Sequence, residues 1–170
     1  LFVFQRGACL LYLLIYVDDL ILTGSDTTVI RSFISKLHTE FKIKDLGHLN
    51  YFLGLEAKRL SFGLFLSQSK YAHAIVSRAG LLESKPVATP LSPSVSFVAS
   101  GTPYQDPTHY RSLVGALQYL TITRPDISYA VNQVSQFLQA PSVSHFQSVK
   151  RILRYIKGTV SYGLTFSHRT

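Results

Sequence analysis

Apolar residues fill nearly every position from Leu10 to Val17, and a second apolar run, Leu20-Ile21-Leu22-Thr23, follows after two acids. With Leu1 to Gln5 as a further strand and Arg6-Gly7-Ala8 as a turn, residues 1–24 read as a β-meander. The unbroken run predicts a central strand covered on both faces. Its hairpin carries Asp18 and Asp19 at the tip. From 26 to 41 the period changes to helical: Val29, Ile30, Phe33, Ile34, Leu37 and Phe41 share one face, with Ser25 or Asp26 as N-cap. Lys42 to Gly47 makes a basic turn. A second hairpin spans Tyr51 to Leu60 and Leu64 to Ser67, around Ser61-Phe62-Gly63. Residues 70–79 form a short helix, with Tyr71, Ile75 and Ala79 in register and Gly80 just past its end.

Residues 84–107 hold five of the seven prolines and several serines, the composition of a linker between subdomains. Val95, Phe97, Val98 and Tyr104 give it apolar side chains that could dock on a surface. Residues 108–158 carry three helical stripes. They are Tyr110, Leu113, Val114, Leu117 and Leu120; Ile127, Ala130, Val131, Val134, Phe137 and Leu138; and Phe146, Val149, Ile152, Leu153 and Ile156. Pro125 suits the start of the second helix, and Ser144 with Gln147 suits a capping box for the third. Three such helices with short loops pack as a small bundle. Residues 159–170 begin another strand.

Composition narrows the partners. Over 170 residues, 46% are apolar and the net charge is +8. A sizeable core is available, and disorder is excluded as the default. The charge favours nucleic acid first and an anionic membrane surface second, with plain solubility as the alternative. Cys9 is the single cysteine, so no internal disulfide forms, and a reducing compartment fits. No apolar run reaches the roughly 20 residues of a spanning helix, and no secretory signal is visible, so an intracellular location is expected. There is no methionine, even at position 1, so the chain is expected to be a piece of a longer polypeptide.

The candidate chemistry begins with Asp18 and Asp19. Adjacent carboxylates repel, and burying them is costly unless a cation offsets the charge. A pair beside hydrophobic strands therefore suits Mg²⁺ and phosphoryl chemistry, with Asp18 as the direct ligand and Asp19 near a second ion or behind it. The alternative is a polar hairpin turn, where Asp is common. Two acids seldom complete a two-ion site. Asp26 and Asp126 sit at helix starts, where capping accounts for them, and Glu40 and Glu83 sit at helix ends or loops. Lys42 and Lys44 share one face in extended spacing and could meet phosphates, or stand as a solvated pair. Lys150, Arg154 and Lys157, with Arg151 beside them, form a basic stripe suited to tracking a nucleic-acid backbone, or an ordinary solvated face. His145 reads as a surface or N-terminal helix residue. No zinc spacing, Ser-His-Asp order or phosphate-cradling glycine loop is present.

Tyr16-Val17-Asp18-Asp19 resembles the Y-x-D-D box of reverse transcriptases. Four further blocks narrow the likeness: Phe41 to Gly47 with Tyr51 to Glu56; Gly63 to Gln68 through Lys70-Tyr71; Tyr110 to Leu120 into Thr123-Arg124-Pro125-Asp126-Ile127; and Lys150 to Tyr155 with Lys157-Gly158-Thr159. In this order they look like Ty1/copia-type retrotransposon Pol polyproteins, most like those of plants.

The resemblance implies an α+β fold, the C-terminal half of a right-hand polymerase palm followed by a helical thumb and connection. Residues 1–68 would be partial palm, 69–83 the first thumb helix, 84–107 the linker, 108–158 the remaining helices, and 159–170 the lead into ribonuclease H. Asp18 and Asp19 would help hold two Mg²⁺ ions. Tyr16, Val17 and Lys44 would lie near the primer end or incoming nucleotide. Gly63, Leu64, Phe65 and Leu66 would be the primer grip. Lys150, Arg151, Arg154 and Lys157 remain the stripe for the nucleic-acid backbone. Primer–template, dNTP, upstream fingers and palm, and downstream ribonuclease H would be the partners, with no membrane. A further metal-binding Asp would precede residue 1, so the chain alone is not expected to polymerise. A non-catalytic binding module and a decayed element are the alternatives. Members of the family work in cytoplasmic particles, and fragments of them occur in plant organelle genomes.

Overall fold

The computed structural model describes residues 1–92 and 101–167, in two compact units, 1–52 and 53–170. In the first unit, β1 (Phe2–Arg6), β2 (Cys9–Tyr16) and β3 (Asp19–Gly24) form an antiparallel meander in that order. The register runs from Arg6 opposite Cys9 to Phe2 opposite Leu13, and from Leu11 opposite Gly24 to Tyr16 opposite Asp19. Period-two alternation puts Phe2, Phe4, Leu11, Leu13, Ile15, Leu20 and Leu22 on one face. β2 is central as expected, but it is not covered on both faces. Leu11 is buried, whereas Ile15, Tyr16 and Val17 are exposed. A meander with a single helix has too few elements to enclose a strand on two sides.

That helix, α1 (Thr27–Glu40), starts where the sequence predicts. Asp26 caps it by accepting hydrogen bonds from the Thr28 and Val29 amides. Val29, Ile30, Phe33, Ile34 and Leu37 are half-buried. Phe41 leaves the predicted face: it has extended backbone at the C-cap and is exposed. The two-residue strand β4 (Tyr51–Phe52) closes the unit.

In the second unit, β5 (Leu55–Leu60), β6 (Gly63–Ser67) and β7 (Gly163–Ser167) are antiparallel, with β6 in the middle. The hairpin turns at Ser61-Phe62, with Gly63 opposite Leu60. The sequence reading starts this strand at Tyr51, but positive φ at Leu53 and Gly54 interrupts it. β7 crosses so close to Gly63 that a Cβ there would overlap the Phe166 carbonyl oxygen.

The unit also holds α2 (Ser69–Arg78), α3 (Pro107–Leu120), α4 (Ser128–Ser135) and α5 (Val143–Gly158), which pack on one another. Gly80, at φ 68°, ends α2. The Leu81 amide donates to the Val76 carbonyl and the Gly80 amide to Ser77, a Schellman closure. Asp106 caps α3 through the His109 amide. The three predicted stripes, Phe137 excepted, form one core with Ala72, Ile75 and Val76 of α2, against which Leu138 and Phe146 pack half-buried. Phe137 and Leu138 fall just past α4, which is one turn shorter than its apolar pattern. The cap of α5 is Ser142, two residues before the predicted one. Its Oγ accepts from the His145 amide, while its own amide donates to His145 Nδ1. His145 is therefore buried, not a surface residue. Of the linker residues, Tyr104 stacks on Phe146 at 4.2 Å, whereas Val95, Phe97 and Val98 lie outside the described residues. Among the described residues no helix is long and apolar enough to cross a membrane.

A buried cation joins these helices. Arg124, 2% exposed, donates through Nε and Nη2 to both oxygens of Asp126, and through Nη1 and Nη2 to the carbonyl and hydroxyl of Thr159. Tyr155 also donates to Asp126 at 2.8 Å. Asp126 thus serves as a counter-ion and not as the helix cap the sequence suggests. Beside it, the Thr123 hydroxyl donates to Gln68 Oε1. Burial alone would raise the Asp126 pKa, but the hydrogen bonds from Arg124 and Tyr155 outweigh it and lower the value. A depressed carboxyl stabilises the fold above its ordinary pKa, and that stabilisation is lost as pH falls through the lower folded value. Asp126→Asn should cost about 3 kcal/mol by chemical denaturation at neutral pH, since it strands a buried guanidinium. The variant should also lose part of the acid sensitivity seen below about pH 4.

Candidate functional site

The acidic hairpin is a two-residue turn. Tyr16 pairs with Asp19, which leaves Val17 and Asp18 as the central residues. Asp18 is therefore in the turn itself, not in a strand, and Asp19 opens β3. The two carboxylates are consequently not bound by strand alternation to opposite faces. Val17 has φ 50°. Positive φ at the first central position alone is the pattern of a type II′ turn, which favours glycine there. A β-branched residue in this region is a genuine outlier and costs about 1–3 kcal/mol.

Tyr16, Val17, Asp18 and Asp19 are all exposed, with Val17 at 81%. The tip is thus a projecting acidic edge, not the buried base that the flanking aliphatic residues suggest. Two adjacent, accessible carboxylates are hard oxygen donors. They fit Mg²⁺, which keeps several waters and binds through one or two carboxylates together with substrate phosphates. Among the described residues, no group of three or more Asp, Glu, His or Cys side chains is placed to hold a metal. Asp26 is occupied as a cap, Asp45 accepts from the Gly47 amide, and Glu56 accepts from the Lys70 amide.

Lys42 and Lys44 are exposed on either side of half-buried Ile43, in a segment without regular structure. Among the described residues, no hydrogen bond or ion pair joins Lys44 to Asp18 or Asp19. Gly63, Leu64, Phe65 and Leu66 belong to the second unit, on the central strand β6. Gly63 is buried there and the other three are half-buried.

The basic stripe on α5 has local partners. Arg151 Nη2 donates to Thr89 Oγ1 at 2.8 Å, and Arg154 Nε to the Lys85 carbonyl at 2.7 Å. Lys157 Nζ donates to the Ser84 carbonyl at 2.6 Å and also to that of Leu82. Lys150 Nζ lies over the Phe146 ring, 5.4 Å from its centroid. Three of the four cations therefore hold the start of the proline-rich segment against the helix. Lys85, on that segment, faces the same cleft as Lys150 and Arg151, and the sequence reading passes over it. The available signal is its position beside Pro86, where a restricted backbone can hold a side chain in place.

Residues 1–93 match the family described as reverse transcriptase (RNA-dependent DNA polymerase). Over 96% of its length the chain is 50% identical to the retrovirus-related Pol polyprotein from transposon RE1 of Arabidopsis thaliana, of which it covers 11%. It is 52% identical, over 91% of its length, to an uncharacterized mitochondrial protein of the same plant, covering 64% of that protein. The corresponding Pol polyprotein from transposon TNT 1-94 of Nicotiana tabacum is 38% identical and is covered to 12%. No solved structure matches. The chain belongs to the reverse transcriptase (RNA-dependent DNA polymerase) family. Within it, the chain is a copia-type Pol sequence, and it spans about a tenth of the Pol polyproteins it matches.

The strain assigned to Val17 has a direct readout. Val17→Gly should raise the stability of the hairpin by about 1 kcal/mol, after allowing for the greater backbone entropy of glycine. Slower amide hydrogen exchange across residues 13–22 is the expected result, and faster exchange would mean that the turn is unstrained.

Proposed function

We propose that the chain contributes the Y-x-D-D hairpin, the primer grip and the thumb of a copia-type RNA-directed DNA polymerase. The carrying observation is the exposed Asp18–Asp19 pair at a two-residue turn, within a sequence of the reverse transcriptase family. Asp18 and Asp19 would hold Mg²⁺. Held there, Mg²⁺ would supply Lewis-acid stabilisation for phosphoryl transfer at a primer 3′ hydroxyl. The remaining carboxylate would come from a part of the polyprotein outside this chain.

The chain's own residues have simpler tasks. Asp18, in the turn, presents its oxygens to ions and substrate without desolvating a strand. Asp19 is held in register by Tyr16 and adds charge beside it. Tyr16 and Val17 offer apolar surface to the primer end or the incoming base. Lys44 is free to meet a phosphate. On this reading residues 1–68 are palm, β6 with Gly63, Leu64, Phe65 and Leu66 grips the primer, and the helices from α2 onward are thumb and connection. Primer–template, dNTP and the neighbouring domains of the polyprotein are the partners, inside a cell.

A second reading, nucleic-acid binding without catalysis, is favoured by the α5 cleft, where Lys150, Arg151 and Arg154 of the stripe stand with Lys85 and, among the described residues, no carboxylate lines the wall; Lys157 lies outside that lining. Lys150, Arg151, Arg154 and Lys157 would then contact the sugar–phosphate backbone.

The first reading is tested by joining the chain to the preceding segment of a copia-type Pol polyprotein. The joined protein should extend a primed template only with a divalent cation. Asp18→Asn should reduce the rate by about 10³-fold or more, the scale expected for charge stabilisation of the transition state. Equal extension by the variant would remove Asp18 from the site.

A further inference from the structure

We infer that the cleft between α5 and residues 81–92 is a discrete site for a compact polyphosphate, such as the triphosphate group of a nucleotide. This deepens the backbone-contact reading of α5 and rests on it for the choice of phosphate. It is independent of Asp18 and Asp19. The cleft has a volume of about 800 Å³, within the roughly 300–1,000 Å³ of small-molecule sites. Lys85, Lys150, Arg151 and Arg154 line it, with the hydroxyl residues Ser144 and Ser148. Four positive charges in a lining that, among the described residues, contains no carboxylate match a ligand with three or four negative ones.

The cations are unequally committed. Arg154 and Arg151 each anchor the covering segment with one hydrogen bond, which fixes the walls. Arg151 Nε is buried and, among the described residues, has no hydrogen-bond partner, so the guanidinium keeps an uncommitted donor. Neither the Lys85 nor the Lys150 ammonium is in a hydrogen bond or ion pair among the described residues. Charge-assisted hydrogen bonds to phosphate oxygens are the strong ones available to such groups. Because the segment stands over the helix, the cations line a concavity. That shape favours a compact anion over a duplex laid along an open face.

The test is calorimetric titration of the full chain with tripolyphosphate, without divalent cations, and separately with a short oligothymidylate. The expected result is one tripolyphosphate bound per chain. Affinity should fall about tenfold or more in K85Q/K150Q, which should keep its unfolding midpoint. Asp18→Asn should bind as the parent does. Tripolyphosphate binding that K85Q/K150Q leaves unchanged would overturn the assignment. Oligothymidylate binding without tripolyphosphate binding would overturn the compact site and leave the backbone reading of α5 standing. If neither binds, both fall.

Discussion

The helical unit is organised around one buried charge. A guanidinium taken out of water is tolerated only when its donors are paired, and Arg124 finds partners in Asp126 and Thr159. Those partners lie on either side of α4 and α5. Satisfying the cation therefore brings the loop after α3 to the end of α5 and sets where the chain leaves for β7. Thr123, next to it, reaches back to Gln68 at the head of α2. One charged residue with its neighbour thus touches the ends of four elements. The apolar stripes supply most of the stabilisation, and the polar cluster ties the ends of the helices together.

The hairpin unit works in a different way. It buries little, and its acidic end stands in water with strained backbone at Val17. Exposure leaves both carboxylates accessible without the cost of burying them, and the tight turn limits how far they can move apart. An edge of this kind suits a site completed by ions and substrate, because its own residues leave coordination positions open. The apolar face made by Phe2, Phe4, Ile15 and Leu20 remains largely exposed in this unit.

Much of this was legible from pattern alone. Unbroken apolar runs located the meander, and two short runs around Ser61-Phe62-Gly63 located the second hairpin. Period 3.6 located every large helix and, in α3, α4 and α5, its buried face, while the stripe of α1 is only half-buried. The acid pair and its family could be read as well, since five ordered blocks survive together. What escaped depends on tertiary partners. Arginine is a surface residue by habit, and nothing in Arg124-Pro125-Asp126 announces that Thr159, 35 positions on, completes its shell. His145 was missed as a cap because the familiar box has Glu or Gln at that position. The α5 stripe was visible, but its engagement with residues 82–89 was not, since backbone carbonyls leave no mark in a sequence.

The account stands most directly on whether Asp18 and Asp19 act together as a divalent-ion platform. Titrating the full chain with Mn²⁺, as a paramagnetic substitute for Mg²⁺, and following backbone amide resonances measures this without requiring catalysis. The account predicts selective broadening of residues 16–20, reversed by excess Mg²⁺ and absent when both acids are changed to Asn. Broadening centred elsewhere, or unchanged by those substitutions, would contradict it.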